Sequence, residues 1–113
     1  MPHYTRKGDD GDTTLWGGGR VPKHHQQPET YGALDEATSA LGLARALASV
    51  PRTVAIAQEL QRGFYRIMAE LAVAEGTPVP DQFVTSAADV ERLEEVAAEL
   101  EAEVPAPKEF VLP

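Results

Sequence analysis

The sequence contains no cysteine, so neither a disulfide framework nor a thiolate metal site is available, and composition leaves the redox compartment open. Basic residues are scarce: 10 Lys and Arg stand against 18 Asp and Glu, for a formal net charge of -8. Such a surface disfavours broad contact with nucleic acid or anionic lipid, so any phosphate site must be local. No apolar run approaches a membrane span, and the opening Met-Pro-His-Tyr-Thr-Arg lacks the apolar core of a signal peptide. These absences predict a cytoplasmic protein with neither a nucleic-acid nor a membrane partner. Two nucleotide motifs are absent as well. No Gly-Lys-Ser or Gly-Lys-Thr follows four spacer residues, and no strand is visible ahead of the glycines for a dinucleotide fingerprint.

What is present divides into a glycine-rich lead and a helical remainder. A length of 113 residues gives room for one domain, read here as 1–113. A chain of this size buries a modest share of its surface, so a partner surface would help it. Residues 1–25 hold five glycines among Thr and Asp without a sustained helical or strand period, which reads as an ordered loop or a tail. From Pro28 onward, Tyr31, Leu34, Ala37, Leu41, Ala44 and Ala48 recur at helical spacing, and Pro51 follows the end of this first helix. Ala57, Leu60, Phe64, Ile67 and Leu71 mark a second helix, with Gly76, Pro78 and Pro80 as its stop. Ser86 and Asp89 then form a capping pair, and Val90, Leu93, Ala97, Leu100 and Val104 mark a third. Pro105, Pro107 and Pro113 prevent its continuation. The fold expected is all-α: three antiparallel helices spanning 28–104, then a linker over 105–113. Three stripes of this kind cover one another only partly, which predicts further helices from another chain or from a C-terminal segment.

The lead carries the chemistry. Tyr4-Thr5-Arg6-Lys7-Gly8-Asp9-Asp10-Gly11-Asp12-Thr13-Thr14 combines glycines, hydroxyls and two cations, the components of a backbone cradle for polyphosphate. Gly17-Gly18-Gly19-Arg20-Val21-Pro22-Lys23 adds a second turn and two more cations, of which Lys23 can serve as a point charge on a phosphate. A calcium loop starting at Asp9 fits poorly, because its expected Glu falls on Arg20. His24 and His25 lack a companion ligand cluster and read as exposed polar residues. Trp16 and Tyr4 either stack on a base or pack against a helix.

These segments, followed by Tyr31-Gly32-Ala33-Leu34-Asp35-Glu36-Ala37 and Ser39-Ala40-Leu41-Gly42, together resemble the opening signature of the propanediol-utilization type of ATP:corrinoid adenosyltransferases. Lys108-Glu109-Phe110-Val111-Leu112-Pro113 resembles the loop leading to that family's fourth helix. The resemblance implies a homotrimer of ferritin-like five-helix bundles, ATP with Mg2+ held between subunits, and cobalamin beside it. In the implied reaction Co(I) attacks C5′ of ATP and triphosphate leaves, so the protein chiefly positions reactants and offsets phosphate charge. Carried over by position, Thr5, Arg6, Lys7 and Gly8 match the ATP-binding run, Thr13 and Thr14 a second nucleotide contact, and Lys23 the phosphate lysine. Asp35 matches a carboxylate that pairs with an arginine of the neighbouring subunit. Phe110 matches the aromatic set against the lower corrin face. An adenosylcobalamin-dependent enzyme or a corrinoid reductase is the implied protein partner. The resemblance also implies fourth and fifth helices with further ATP contacts, which these residues do not include. The alternative to an enzyme is a non-catalytic nucleotide- or corrinoid-binding helical oligomerisation module; without these motifs together, the chain would read as a helical oligomerisation domain whose glycine-rich lead is only a tail.

Overall fold

A computed structural model describes residues 3–112; Met1, Pro2 and the helix-ending Pro113 lie outside them. The chain runs β1 (Asp12–Thr14), β2 (Arg20–Pro22), α1 (Gln26–Leu47), α2 (Pro51–Leu71), a 3-10 turn (Asp81–Phe83) and α3 (Ala87–Glu103). The three expected helices are present, and a small hairpin precedes them. Its strands are antiparallel, with Asp12 opposite Pro22, Thr13 opposite Val21 and Thr14 opposite Arg20. Strands of three residues are too short to show alternation in a sequence, which is why the lead reads as loop. The reversal between them is made by Gly17, Gly18 and Gly19, with φ of 91°, 114° and 79°, a region open to glycine and costly for other residues.

Helix α1 starts two residues ahead of Pro28 because His25 caps it: Nδ1 accepts from the Gln27 N–H at 3.3 Å. Pro28 then sits in the first turn, where a missing N–H leaves no bond unmade. Pro51 likewise opens α2. The two helices lie antiparallel, as a short connection at one end and cross-contacts at the other end and the middle require: Gln27 Nε2 donates to the Leu71 and Val73 carbonyls at 3.0 and 3.1 Å, and Gln61 Nε2 to the Thr38 carbonyl at 2.9 Å. The expected stripes do face this contact. Ala57 is buried, and Tyr31, Leu34, Ala37, Leu41, Leu60, Phe64, Ile67 and Leu71 are half-buried, although Ala44 is exposed.

Helix α2 ends at Leu71, short of the expected stop at Gly76. Val73 leaves the helix to form a parallel bridge with Trp16, in which the Trp16 N–H donates to the Ala72 carbonyl at 2.9 Å and the Ala74 N–H to the Trp16 carbonyl at 2.8 Å. Gln27 takes two of the carbonyls freed there, a tertiary contact invisible in local periodicity. Gln27→Leu leaves both without this donor in a part-buried setting and is expected to cost about 1–3 kcal/mol, read as a lower urea midpoint of helix loss.

The third helix turns part of its expected stripe toward α2, where Val90 and Leu93 line the space between the two helices, but the stripe stays largely uncovered. Val90, Leu93, Ala97, Leu100 and Val104 are exposed, whereas Val96 is buried. Asp89, Arg92, Glu99 and Glu103, each one position back from a stripe residue, also reach α2. Arg66 pairs with Asp89, Arg92 with Glu59 at 2.9 Å, and Arg52 with Glu103 and with Glu99 at 3.1 Å. The contact is thus mostly ionic, and α3 stands further from α2 than α1 does. Between them Leu60, Phe64, Ile67, Val90 and Leu93 border a cavity of about 190 Å³.

The expected cap of α3 is present: Asp89 Oδ2 accepts from the Ser86 N–H at 2.9 Å and its hydroxyl at 3.0 Å. The Ser86 N–H, and after it the Arg66 guanidinium, hold the Asp89 carboxyl below its ordinary value of 3.8. A depressed carboxyl stabilises the fold fully above the unfolded value and stops doing so as pH falls through the lower folded value. Asp89→Asn is therefore expected to lower stability at neutral pH, with the difference from the parent chain closing as the pH falls below the ordinary carboxylate value and through the lowered one, as acid titration of helicity would record.

Little of the molecule is interior. The buried side chains among the described residues are Leu15, Ala57, Val73 and Val96, and none is fully buried. The radius of gyration is 17.6 Å, against about 13 Å for a compact domain of this length. The apolar residues of the helices are thus only partly covered within this chain. Among the described residues, no helix is long and apolar enough to cross a membrane.

Candidate functional site

The hairpin gives the lead its shape. The Asp9 N–H donates to the Arg6 carbonyl at 3.1 Å and the Gly11 N–H to the Gly8 carbonyl at 3.2 Å, so residues 6–11 make two successive turns. The Thr5 hydroxyl accepts from the Lys7 N–H at 3.4 Å. The Lys23 N–H, just past β2, donates to the Gly11 carbonyl at 2.9 Å and closes the loop onto the hairpin. Arg6 takes a positive φ of 59°, uncommon outside glycine, and its guanidinium lies 5.6 Å from the Tyr4 ring centre.

Lys23 crosses the loop at Gly8. A Cβ built on Gly8 would stand 3.1 Å from Lys23 Nζ and 3.3 Å from the Asp12 carbonyl oxygen, so the ammonium reaches this place because no side chain occupies it. Arg6, Lys7 and Lys23 have no carboxylate partner among the described residues. Three unpaired cations around a glycine turn, in a chain of net charge -8, form a local anion-attracting surface.

The fourth cation is differently engaged. Arg20 Nη2 donates to both Asp10 carboxylate oxygens at 2.8 Å and to the Lys7 carbonyl at 2.9 Å, while Nη1 donates to the Thr14 hydroxyl at 3.4 Å. Asp10 also accepts from the Asp12 N–H at 3.1 Å. That backbone bond, and then the Arg20 charge, hold its carboxyl below the ordinary range. Arg20 is noted above only as a nearby cation. Its role depends on standing opposite Thr14 in a strand pair that the sequence does not reveal.

The structure thus brings Thr5, Arg6, Lys7, Gly8 and Lys23 together and ties Thr14 to them through Arg20. Thr13 lies on the other strand face from Thr14, as neighbours in a strand must. Asp35 is exposed on α1, its backbone carbonyl accepting from the Ser39 hydroxyl at 2.9 Å. Phe110 lies beyond α3 and is 88% exposed, so within this chain its ring packs against little. Of the two readings of Trp16, packing is the one observed: its ring meets Phe83 edge-on at 5.7 Å, and Phe83 meets Tyr65 at 5.8 Å. His25 has a structural task as the α1 cap.

The family model for cobalamin adenosyltransferase matches residues 3–113. A corrinoid adenosyltransferase PduO of Citrobacter freundii is 36% identical over 113 residues, covering 100% of this chain and 34% of the relative. A corrinoid adenosyltransferase of Bacillus subtilis is 35% identical, covering 100% of this chain and 58% of the relative. A variant PduO-type ATP:corrinoid adenosyltransferase from Lactobacillus reuteri, solved with cobalamin and ATP, superposes with a TM-score of 0.77 at 28% identity, over 99% of this chain and 61% of that one. A second variant of that enzyme, solved with ATP, gives 0.79 at 27% identity, over 97% and 62%. The chain therefore spans between a third and two thirds of the length of these relatives. Its helices and its glycine-rich lead fall within the matched span, and the chain belongs to the cobalamin adenosyltransferase family.

Proposed function

We propose that this chain supplies the nucleotide-holding part of an ATP:corrinoid adenosyltransferase, which transfers the 5′-deoxyadenosyl group of ATP to cob(I)alamin and releases triphosphate. The observation that carries this reading is the placement of Lys23 over Gly8 beside Arg6 and Lys7, three unpaired cations on an ordered turn. In the transfer the C5′–O bond of ATP breaks, a cobalt–carbon bond forms with the Co(I) electron pair, and triphosphate leaves with the electrons of the broken bond. Cations positioned on the phosphates favour that departure, because negative charge grows there as the bond breaks. No side-chain nucleophile enters. Thr5, Thr13 and Thr14 add hydroxyl donors. Among the described residues no group of three or more His, Cys, Asp or Glu side chains is placed to hold a metal, so Mg2+ would arrive on the phosphate oxygens, its usual mode with nucleotides.

On the corrinoid side, Asp35 is exposed and free to meet an arginine of a neighbouring subunit, and the projecting Phe110 ring is free to lie under the corrin. The working form in this reading is a cytoplasmic homotrimer of five-helix bundles, to which residues 1–113 contribute one domain. It receives reduced corrinoid from a reductase and passes its product to an adenosylcobalamin-dependent enzyme. Isothermal titration of Mg-ATP into the 113-residue chain, followed by assay of adenosyl transfer to cob(I)alamin, tests it. Saturable binding supports the nucleotide site, binding without transfer selects a nucleotide-binding module, and absence of heat removes the assignment of these residues.

A further inference from the structure

Arg20 is the one cation of the lead with a carboxylate partner among the described residues. Its Nη2 serves the Lys7 carbonyl and both Asp10 oxygens, and its Nη1 the Thr14 hydroxyl. The acceptors come from either side of the Gly8 turn and from the opposite strand, so one planar group holds the loop to the hairpin at three points. Asp10 in turn fastens the Asp12 N–H at the start of β1, and its charge cancels that of Arg20 within the latch. We propose that Arg20, with Asp10 as its counter-charge, is a positioning residue that preforms the phosphate cradle without itself touching phosphate. This rests on the nucleotide reading given above.

Two physical arguments favour preforming over direct contact. A guanidinium whose charge is offset by a carboxylate, and whose Nη2 already serves that carboxylate and a carbonyl, attracts a phosphate less than Arg6, Lys7 and Lys23, which have no carboxylate partner among the described residues. A loop of glycines and a strained Arg6 would otherwise pay its ordering entropy when nucleotide binds, weakening the apparent affinity. Lysine cannot reproduce the arrangement, because an ammonium is a point donor without the planar fork.

The test compares Arg20→Lys, Asp10→Asn and Asp10→Glu with the parent chain by amide hydrogen exchange of residues 8–12 in the absence of nucleotide, and by calorimetric titration with Mg-ATP. The latch requires faster exchange in Arg20→Lys and Asp10→Asn, affinity about tenfold lower in each, partial recovery in Asp10→Glu, and no further loss in the Arg20→Lys, Asp10→Asn double variant. Tighter ATP binding by Asp10→Asn would overturn it, since that outcome means Arg20 is a phosphate ligand held back by Asp10. Unchanged exchange in both single variants would overturn it as well. Should the parent chain bind no ATP, the nucleotide reading fails, while the exchange comparison still decides whether the latch exists.

Discussion

Lys23→Ala is expected to weaken Mg-ATP binding by about ten- to a hundredfold, the equivalent of one charge-assisted phosphate contact. The cause is geometric as much as ionic. Lys23 is fixed at both ends of the argument, its N–H on the Gly11 carbonyl and its ammonium over Gly8. The alanine variant keeps the first and loses only the second, so the loop should hold its shape while the charge disappears. Lys23→Arg is expected to recover part of the affinity, because it restores the charge but must fit a broader head into the space above Gly8. Calorimetric titration measures all three chains, with Lys108→Ala in the tail as a control cation. Equal affinities for the parent and Lys23→Ala would show that the ammonium has no part in holding phosphate.

The largest loss of stability is expected from Gly17→Val, about 3 kcal/mol or more, from two effects at one position. Gly17 has φ of 91°, where a β-branched residue is a steric outlier. A Cβ placed on it would also overlap the Thr77 side chain, coming within 2.8 Å of the Thr77 Cβ. The residue before it makes the bridge to Val73, so displacement here pulls the lead off the end of α2. Gly17→Ala suffers both effects in milder form. Combining it with Thr77→Gly removes the overlap and leaves only the backbone cost of about 1 kcal/mol, less any loss that Thr77→Gly causes alone. Thermal melting followed by circular dichroism separates the two contributions. A double variant no more stable than Gly17→Ala would mean that the contact with Thr77 is not what restricts this glycine.

The helices are legible in the sequence because each runs long enough for a period to show, and because Pro28, Pro51 and the Ser86–Asp89 pair punctuate them. The residues clustered at Gly8 are legible through the resemblance: composition alone leaves the lead as a loop or a tail, while the order and spacing of its motifs do not. What stays hidden is whatever depends on partners distant in the chain. The strands are too short to alternate, so Arg20 looks like one more cation until Thr14 is seen across from it. Helix α2 stops early because Trp16 and Gln27 claim its end. Helix α3 offers two candidate faces one residue apart, and the apolar stripe is the more conspicuous. The face turned to α2 lies between them: Arg52, Glu59 and Arg66 find their countercharges there, while Val90 and Leu93 of the apolar stripe still line the cavity beside α2.

The bridge between Trp16 and Val73 has a consequence in time. It joins two stretches separated by the whole α1–α2 hairpin, so closing it early would restrain a long disordered loop, whereas closing it after those helices pair restrains almost nothing. The lead is therefore expected to dock last during folding and to come loose first, in openings that leave the helices intact. In kinetic terms the glycine-rich turn is an outlying cooperative unit of this chain, and its lifetime in the closed state, rather than the lifetime of the helices, would limit how long the proposed nucleotide site stays assembled.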